Sequence, residues 1–491
     1  MTQICVALVE GTTAGMVARM AELAPVADLF EIRADRVIDL DLLTILRARS
    51  RPLVLTCRPA SQGGAWADDD PRRRLTLLEG VKRRFDYVDV ELRSGFTDVM
   101  VEKVGEGLII SHHDIDGMPD DLDGLYREMT ELGADIAKIV VTPRSVADVG
   151  RLLAFAARMR DDGGTPLIAL ALGPLGLLTR LLAGRYGAPF TYAAASAGAE
   201  SAPGQIAATV MADLYRVRNV TAETKVYGVL GRDVVRSHSP VLHNRALEAR
   251  ALDAIYVPLQ ADALAPFMEA LPALGLSGFS VTRPYKVDIL PYLSEVEEPA
   301  ALCGSINTIV VHEGLLQGST TDGIGVLVPL KKRIDVKGRR VVILGAGGAA
   351  RAAALSLGRK GAQVTLLARD AAQAAEVASA LGCASGALAE AGQHAWDILI
   401  NATPVGSRAA ADQSPLPAEL HRPDTVVLDM VYDPLETRFL REAQAAGCRI
   451  IDGLEMLLAQ AVAQFETWTG LEAPVDVMKS AALFLAQEQD S

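Results

Sequence analysis

Residues 341–357 read VVILGAGGAARAAALSL, a β-branched run that enters Gly345, Gly347 and Gly348 and leaves through an alanine-rich stretch of helical composition. A strand that turns on this glycine spacing into a helix is the dinucleotide-binding turn. Glycine lets the backbone approach a pyrophosphate, small residues keep the helix close to the sheet, and the helix N-terminus faces the phosphates. Gly345, Ala346, Gly347, Gly348 and Ala349 are therefore the candidate cofactor contacts. The next strand, QVTLLARD (363–370), ends in Arg369, where an enzyme specific for NAD carries an acidic residue for the ribose 2′-hydroxyl. Arg369 favours NADP, and Asp370 beside it offers a carboxylate that could reach the ribose instead.

Upstream, residues 225–325 alternate apolar runs with polar clusters: RSHSP (236–240), FSVTRPYK (279–286), GSINT (304–308) and TTDGIG (320–325). Polar loops at the ends of apolar runs build sites. Reduction of a ketone by hydride needs a proton donor beside the carbonyl, and Lys286 with Asp322 could act as a coupled amine and carboxylate. A Lys–Asp pair also serves as a structural ion pair, so the chemistry alone leaves both roles open.

Before the polar stretch NVTAETK (219–225) the pattern changes. Short β-rich runs recur with helical or polar segments between them: ICVALVE, DLFEIRAD, PLVLTCR, YVDVELR, GLIISHHD, IAKIVVTP, PLIALALG and FTYAAAS. Eight such runs over roughly 220 residues predict a closed (β/α)8 barrel, a TIM barrel. Glu31, Arg33, Arg58, Glu91 and His113 fall late in their strands, where a barrel gathers side chains at one mouth. Lys138 lies in IAKIVV, a strand otherwise free of charge, and burial would depress an amine toward a usable nucleophile, with a Schiff base as the obvious use. His113 on the preceding strand is a candidate proton shuttle. In GPLGLLTR, Arg180 could clamp a carboxylate, and SAPGQ offers Ser201 and Gln205 as hydroxyl partners.

Taken together, EIRAD, ISHHD, ADIAKIVV, LGPLGLLTR and SAPGQ resemble type I dehydroquinate dehydratase over residues 1 to about 220. The resemblance implies that Lys138 forms an imine with the substrate ketone and that His113 removes the neighbouring C2 proton and helps the hydroxyl leave. It also implies that Glu31, Arg33, Arg58, Arg180, Ser201 and Gln205 bind substrate. Two departures are Gln62 in RPASQGG, where the family usually shows glutamate, and LGPLG in place of a methionine-glycine start.

RSHSP, SVTRPYK, GSINT, TTDG, LGAGGAA, NATPVG and DGLEMLLAQAVAQFETWTG closely resemble shikimate dehydrogenase over residues 225 to about 488. This resemblance implies Lys286 and Asp322 as the catalytic pair. Ser237, Ser239, Thr282, Asn307, Tyr432 and Gln460 are then expected to hold the substrate, with Thr403, Met430 and Gly453 on the nicotinamide side. Ser280 stands where asparagine is common, Ala368 precedes Arg369 where asparagine is frequent, and Asp370 replaces a usual threonine.

The joint expectation is an α/β chain with a dehydratase barrel over 1–222 and a dehydrogenase substrate-binding domain over 223–325. A Rossmann domain over 326–452 and C-terminal helices over 453–491 complete it. It would dehydrate 3-dehydroquinate to 3-dehydroshikimate and reduce that to shikimate with NADPH, a lyase and an oxidoreductase of aromatic amino acid biosynthesis. The alternative is a catabolic NAD-dependent quinate or shikimate dehydrogenase fused to a dehydratase.

Bulk properties agree with this. At 491 residues the chain exceeds a single core, and its 50% hydrophobic and 22% charged residues suit packed α/β domains. A formal charge of −13 argues against nucleic acid or an anionic membrane as partner, leaving small-molecule substrates and an open oligomeric state. Five scattered cysteines without a CxxC pair imply a reducing compartment and no structural zinc. The first run begins at residue 4 with no signal or transit pattern, so the cytoplasm is the expected compartment.

Overall fold

The computed structural model describes residues 2–489; residues 1, 490 and 491, the outermost of the expected domain limits, lie outside the described residues. Two compact units make up the chain: residues 1–227, 233–235 and 253–276, and residues 228–232, 236–252 and 277–491.

In the first unit each of the eight predicted runs forms a parallel strand. They are β1 (Gln3–Leu8), β2 (Leu29–Arg33), β3 (Leu53–Thr56), β4 (Tyr87–Glu91), β5 (Leu108–Asp114), β6 (Ile136–Val141), β7 (Leu167–Ala171) and β8 (Phe190–Ala194). Their order, β7-β6-β5-β4-β3-β2-β1-β8, is sequential around a nearly closed barrel. Strand periodicity of two sorts the side chains. One parity supplies Cys5, Leu29, Val54, Ile109, Ile136, Ile168 and Phe190, which pack together as an apolar cluster inside the barrel. The next residue of that parity toward the C-terminal end is polar on most strands: Glu31, Thr56, Asp89, Ser111, Lys138 and Tyr192, all buried. The barrel therefore has an apolar floor beneath a polar layer, and register holds the layer level, with Ser111 opposite Lys138 across β5 and β6.

The same unit contains the helix Leu264–Leu274, which packs on the barrel helix Val146–Asp162. Gly150 makes the approach possible, because a Cβ there would stand 2.8 Å from the Ala270 Cα.

β9 (Lys225–Gly231) and β10 (Ala254–Gln260) follow the barrel in sequence. The second unit carries β11 (Leu276–Val281), β12 (Glu295–Val296), β13 (Thr308–His312) and β14 (Leu315–Ser319). Within it β13 is antiparallel to both β11 and β14, and β12 runs parallel to β14. The dinucleotide fold is the parallel sheet β15 (Arg340–Leu344), β16 (Gln363–Ala368), β17 (Ala384–Ala387), β18 (Ile398–Asn401), β19 (Val426–Asp429) and β20 (Arg449–Ile451). Its order is β17-β16-β15-β18-β19-β20, so the strand order reverses beside β15, where open α/β sheets bind ligands. Val341, Ile343, Ile398, Ile400, Val426 and Leu428 pack against Ala350, Ala353 and Leu357 of the glycine-turn helix, which explains the alanine-rich face of that helix.

Candidate active sites

The polar layer of the barrel opens into a cavity of about 460 Å³. Lys138, His113, Glu31, Arg33, Arg58, Arg180, Ser201 and Gln205, chosen from the sequence, all line it, together with Gln62 and Tyr192. Lys138 is 3% exposed, and its Nζ donates to Asp89 Oδ2 and Tyr192 Oη, each at 3.0 Å, with Glu31 Oε1 at 3.5 Å. Burial works to raise the Asp89 carboxyl, but Arg58 and Lys138 outweigh it and hold Asp89 near 2, an anion throughout.

Arg58 is held by its neighbours: Nη2 donates to Asp89 Oδ2 at 2.8 Å, and Nη1 to Glu91 Oε1 at 3.1 Å and Ser111 Oγ at 2.9 Å. Arg73 pairs with the other oxygen of Glu91 at 2.6 Å. Arg33 forks onto Asp35, both bonds at 2.8 Å. Arg180 differs from these. It is 2% exposed, carried on the short helix Leu177–Leu181, and its Nε has no hydrogen-bond partner among the described residues. Burial pulls its guanidinium down to about 10. A buried cation without a carboxylate is costly unless a ligand supplies the anion.

His113 also faces the cavity with Nδ1 unpartnered among the described residues. Burial first, then Arg58, Lys138 and Arg33, hold its imidazole well below the usual histidine range, so it is a neutral base near pH 7. Gln62 accepts from the His113 backbone N–H at 3.2 Å. Gln205 Oε1 accepts from both the Ser201 N–H, at 2.8 Å, and the Ser201 hydroxyl, at 3.1 Å, which ties the last loop into one piece.

The second site lies in unit 2. Lys286 Nζ donates to Asp322 Oδ2 at 2.5 Å. The other carboxylate oxygen accepts from Asn307 Nδ2 at 2.8 Å, and the same amide nitrogen is 3.0 Å from Gln460 Oε1. Asn307 Oδ1 takes the Thr321 N–H at 2.8 Å, which fixes which face of the amide points at the carboxylate. Gln464 then backs this group: Nε2 donates to the Asn307 carbonyl at 2.9 Å, and Oε1 accepts from Ser280 Oγ at 3.0 Å. The Ser237 hydroxyl accepts from the Ser239 N–H at 3.2 Å and pairs with the Tyr432 phenol. Thr282 is placed by its N–H bond to the Leu230 carbonyl at 2.9 Å.

The glycine turn fits a dinucleotide. Gly345 has φ +113°, and a Cβ there would meet the Ala402 carbonyl at 3.2 Å. Gly347 caps the helix Gly348–Arg359 without a side-chain bond and faces open space, so the first N–H groups of that helix remain available to an anion. Ala346 is buried in the turn and Ala349 lies in the first turn of the helix. Asp370 spends its carboxylate on its own helix, accepting the Ala372 and Gln373 N–H groups at 3.1 and 3.0 Å. Arg369 beside it is exposed at the end of β16. On the other side of the turn, Asn401 Oδ1 accepts from Thr403 N at 3.0 Å and Thr403 Oγ1 at 2.7 Å, and the Met430 N–H bonds the Asn401 carbonyl at 3.0 Å. Gly453 packs so closely on Val431 that a Cβ would stand 2.3 Å from its carbonyl oxygen.

Residues 4–222 match the family model for type I 3-dehydroquinase, and residues 229–309 match the shikimate dehydrogenase substrate binding domain. Residues 333–451 match a putative NAD(P)-binding family, and 453–483 the shikimate 5′-dehydrogenase C-terminal domain. A chloroplastic bifunctional 3-dehydroquinate dehydratase/shikimate dehydrogenase of Arabidopsis thaliana is 34% identical over 480 residues, covering 92% of this chain and 79% of the plant protein. The chain belongs to this bifunctional family. The dehydrogenase half is also 41% identical to shikimate dehydrogenase (NADP(+)) of Pyrococcus abyssi, over 53% of the chain and 97% of that protein. A shikimate dehydrogenase solved with NADP+ aligns with TM-score 0.51 at 37% identity, over 54% of this chain and 97% of its own. The Thermus thermophilus enzyme, solved with NADP(H) and shikimate, aligns with TM-score 0.50 at 37% identity, over 53% and 99%.

In the dehydratase half the sequence missed Asp89 and Tyr192, both touching the Lys138 amine. Asp89 shares strand parity with Glu91, and that alternation was the available signal. In the dehydrogenase half it missed Asn401 and Gln464, whose partners are Thr403 and Asn307. Gln464 lies four residues after Gln460, on the same helix face. Among the described residues no helix is long and apolar enough to cross a membrane.

Proposed function

We propose that Lys138 and His113 carry the dehydration of 3-dehydroquinate to 3-dehydroshikimate, and that Lys286 and Asp322 carry the reduction of that product to shikimate. The observation that supports the first assignment is a buried amine and a buried guanidinium, Arg180, lining one cavity, the latter with its Nε unpartnered among the described residues. A substrate carboxylate on Arg180 satisfies the guanidinium and fixes the ring over Lys138. Attack of Nζ on the ketone and loss of water give an iminium, which acidifies the neighbouring carbon. His113, neutral at working pH, takes the C2 proton and returns it to the departing hydroxyl as water. Glu31, Arg33, Arg58, Ser201 and Gln205 complete the wall around the substrate. Arg33 and Arg58 act there mainly by position, because their guanidinium groups already bond Asp35, Asp89 and Glu91.

In the dehydrogenase half the cofactor is NADP, whose reduced form, NADPH, would supply the hydride and leave as NADP+. Lys286 protonates the developing alkoxide while Asp322 orients it and shares its proton, a pairing supported by their hydrogen bond. Ser237, Ser239, Thr282, Asn307, Tyr432 and Gln460 hold the substrate hydroxyls and carboxylate. The helix start at Gly348, with Gly345, Ala346, Gly347 and Ala349, holds the pyrophosphate, and Arg369 holds the 2′-phosphate. Thr403, Met430 and Gly453 flank the nicotinamide. The domain limits are 1–222, 223–325, 326–452 and 453–491. The compartment is the cytoplasm, in keeping with five cysteines that are all unpaired. The partners are small molecules rather than nucleic acid or membrane, and the oligomeric state stays open.

A coupled assay tests the scheme: 3-dehydroquinate and NADPH are supplied and cofactor absorbance is followed. Wild type consumes NADPH; Lys138→Ala does so only when given 3-dehydroshikimate; Lys286→Ala accumulates 3-dehydroshikimate without reducing it. NADPH consumption from 3-dehydroquinate by Lys138→Ala would sink the Schiff-base assignment.

A further inference from the structure

Strand β8 places a hydroxyl on the reacting nitrogen that none of the roles above uses. Tyr192 Oη is 3.0 Å from Lys138 Nζ, and the tyrosine ring centroid is 4.1 Å from the same atom. The side chain is 3% exposed and lines the cavity. The other near neighbours of Nζ, Asp89 and Glu31, are carboxylates and can only accept hydrogen bonds while ionised. A phenol both accepts and donates.

Imine formation needs such a group. As the ammonium of Lys138 becomes an iminium, two of its protons must end on the ketone oxygen, which departs as water. Nitrogen and oxygen sit on the same carbon at that stage, so direct transfer passes through a strained four-membered ring. A hydroxyl within hydrogen-bond reach of nitrogen turns this into a six-membered ring of N, H, Oη, H, O and C. We propose that Tyr192 is the proton relay of imine formation at Lys138: its hydroxyl takes a proton from Nζ as it passes its own to the substrate oxygen on the same carbon. The relay runs twice: the first proton leaves Nζ for the carbonyl oxygen through Oη, freeing the lone pair that forms the N–C bond as the π pair goes to oxygen. The second passes from the protonated carbinolamine nitrogen to the hydroxyl, and the C–O bond breaks to release water as nitrogen closes the double bond. The phenol ends as it began, and the same relay run backward hydrolyses the product imine. Because the two hops of each run occur together, Oη never has to become a phenolate. This matters here, since burial, followed by Glu31, Cys5 and Asp89, holds the Tyr192 hydroxyl protonated well above the usual phenol range.

The inference rests on Lys138 being the imine-forming residue, and the test separates the two claims. Tyr192→Phe keeps the ring that packs on Phe190, with centroids 5.6 Å apart, and removes only Oη. Exchange of the ketone oxygen of 3-dehydroshikimate with 18O-labelled water reads imine formation directly, and borohydride trapping followed by mass analysis locates the adduct. Tyr192→Phe is expected to slow exchange and trapping by roughly 10²–10⁴-fold, the range of positioned acid–base groups. KM should stay within threefold, and the shikimate dehydrogenase activity of the same chain should be unchanged as a control for folding. In wild type, exchange rate plotted against deuterium fraction should curve as two protons in flight require. A slowing of less than tenfold, or a straight plot, overturns the relay. Failure to trap any adduct on Lys138 in wild type overturns the Schiff-base reading instead.

Discussion

Replacing Arg180 with methionine is expected to make the protein more stable and the dehydratase worse. Arg180 is 2% exposed, and burial lowers its guanidinium to about 10. A fall of about two and a half powers of ten in proton affinity, at about 1.4 kcal/mol each, corresponds to about 3 kcal/mol by which the fold disfavours the charged form. The sign follows from a base whose folded value lies below its unfolded one. The cost is present in full at every pH below about 10 and fades only as the pH rises through that value. Methionine fills nearly the same volume without charge, so at pH 7 the variant should gain about 1–3 kcal/mol after losses in packing. For a barrel of this size that is a rise in melting temperature of roughly 2–10 °C. The substrate pays the opposite sign. Loss of a charge-assisted, forked contact to a carboxylate, leaving the anion in a dry cavity, costs about 3–5 kcal/mol, or a roughly 10²–10⁴-fold rise in KM. Calorimetry with and without 3-dehydroshikimate, beside dehydratase kinetics, reads both. A lower melting temperature with an unchanged KM would show that Arg180 is a structural cation and the reasoning wrong.

Gln62→Glu should move the acid limb of the dehydratase pH profile upward by up to about 1 unit. Burial and three neighbouring cations now hold His113 low, and a carboxylate at Gln62 would favour its protonated form; an unmoved limb would mean that Gln62 does not face the imidazole. Arg369→Ala should raise KM for NADPH roughly tenfold or more while leaving NADH unaffected, in line with about 1.5–3 kcal/mol for a charged hydrogen bond. Asp370→Ala should lower melting temperature without changing cofactor choice, because its carboxylate caps a helix; steady-state kinetics with both cofactors decide. Burial raises the Asp429 carboxyl to about 6, so its ionised form costs stability above that pH, and the cost is relieved as pH falls through 6 toward the ordinary carboxylate range. Asp429→Asn should flatten the stability curve between pH 4 and 7 in urea unfolding; a curve as steep as wild type would refute this.

The barrel was readable because a (β/α)8 sheet repeats one short pattern, and the glycine turn because backbone approach to a phosphate restricts residue choice. Lys138 stood out as a charge in an apolar strand. Asp89 and Tyr192 did not: an aspartate beside a glutamate resembles an outward-facing pair, and a tyrosine among alanines resembles core. Only strand parity, counted from Glu91 on β4 and from Phe190 on β8, places them on the inner face. In the dehydrogenase half, Asn307 and Lys286 lay in recognisable clusters. Behind Asn307 stand Gln464 and, bonded to it, Ser280, which are 184 residues apart and meet only in the folded chain. The same holds for Asp429, which reaches Thr403 through Asn401.

The helix Gly453–Thr469 joins two regions that must exchange substrate and cofactor. Near its start Glu455 is clamped by Arg333, beyond its middle Gln460 and Gln464 reach Asn307, and near its end Trp468 Nε1 bonds the Ile309 carbonyl at 2.9 Å. At 1.5 Å per residue it is a rod about 25 Å long. Bolted at both ends and gripped beyond its middle, it is a common support: Gln460 shares the Asn307 amide with the Asp322 carboxylate that holds Lys286.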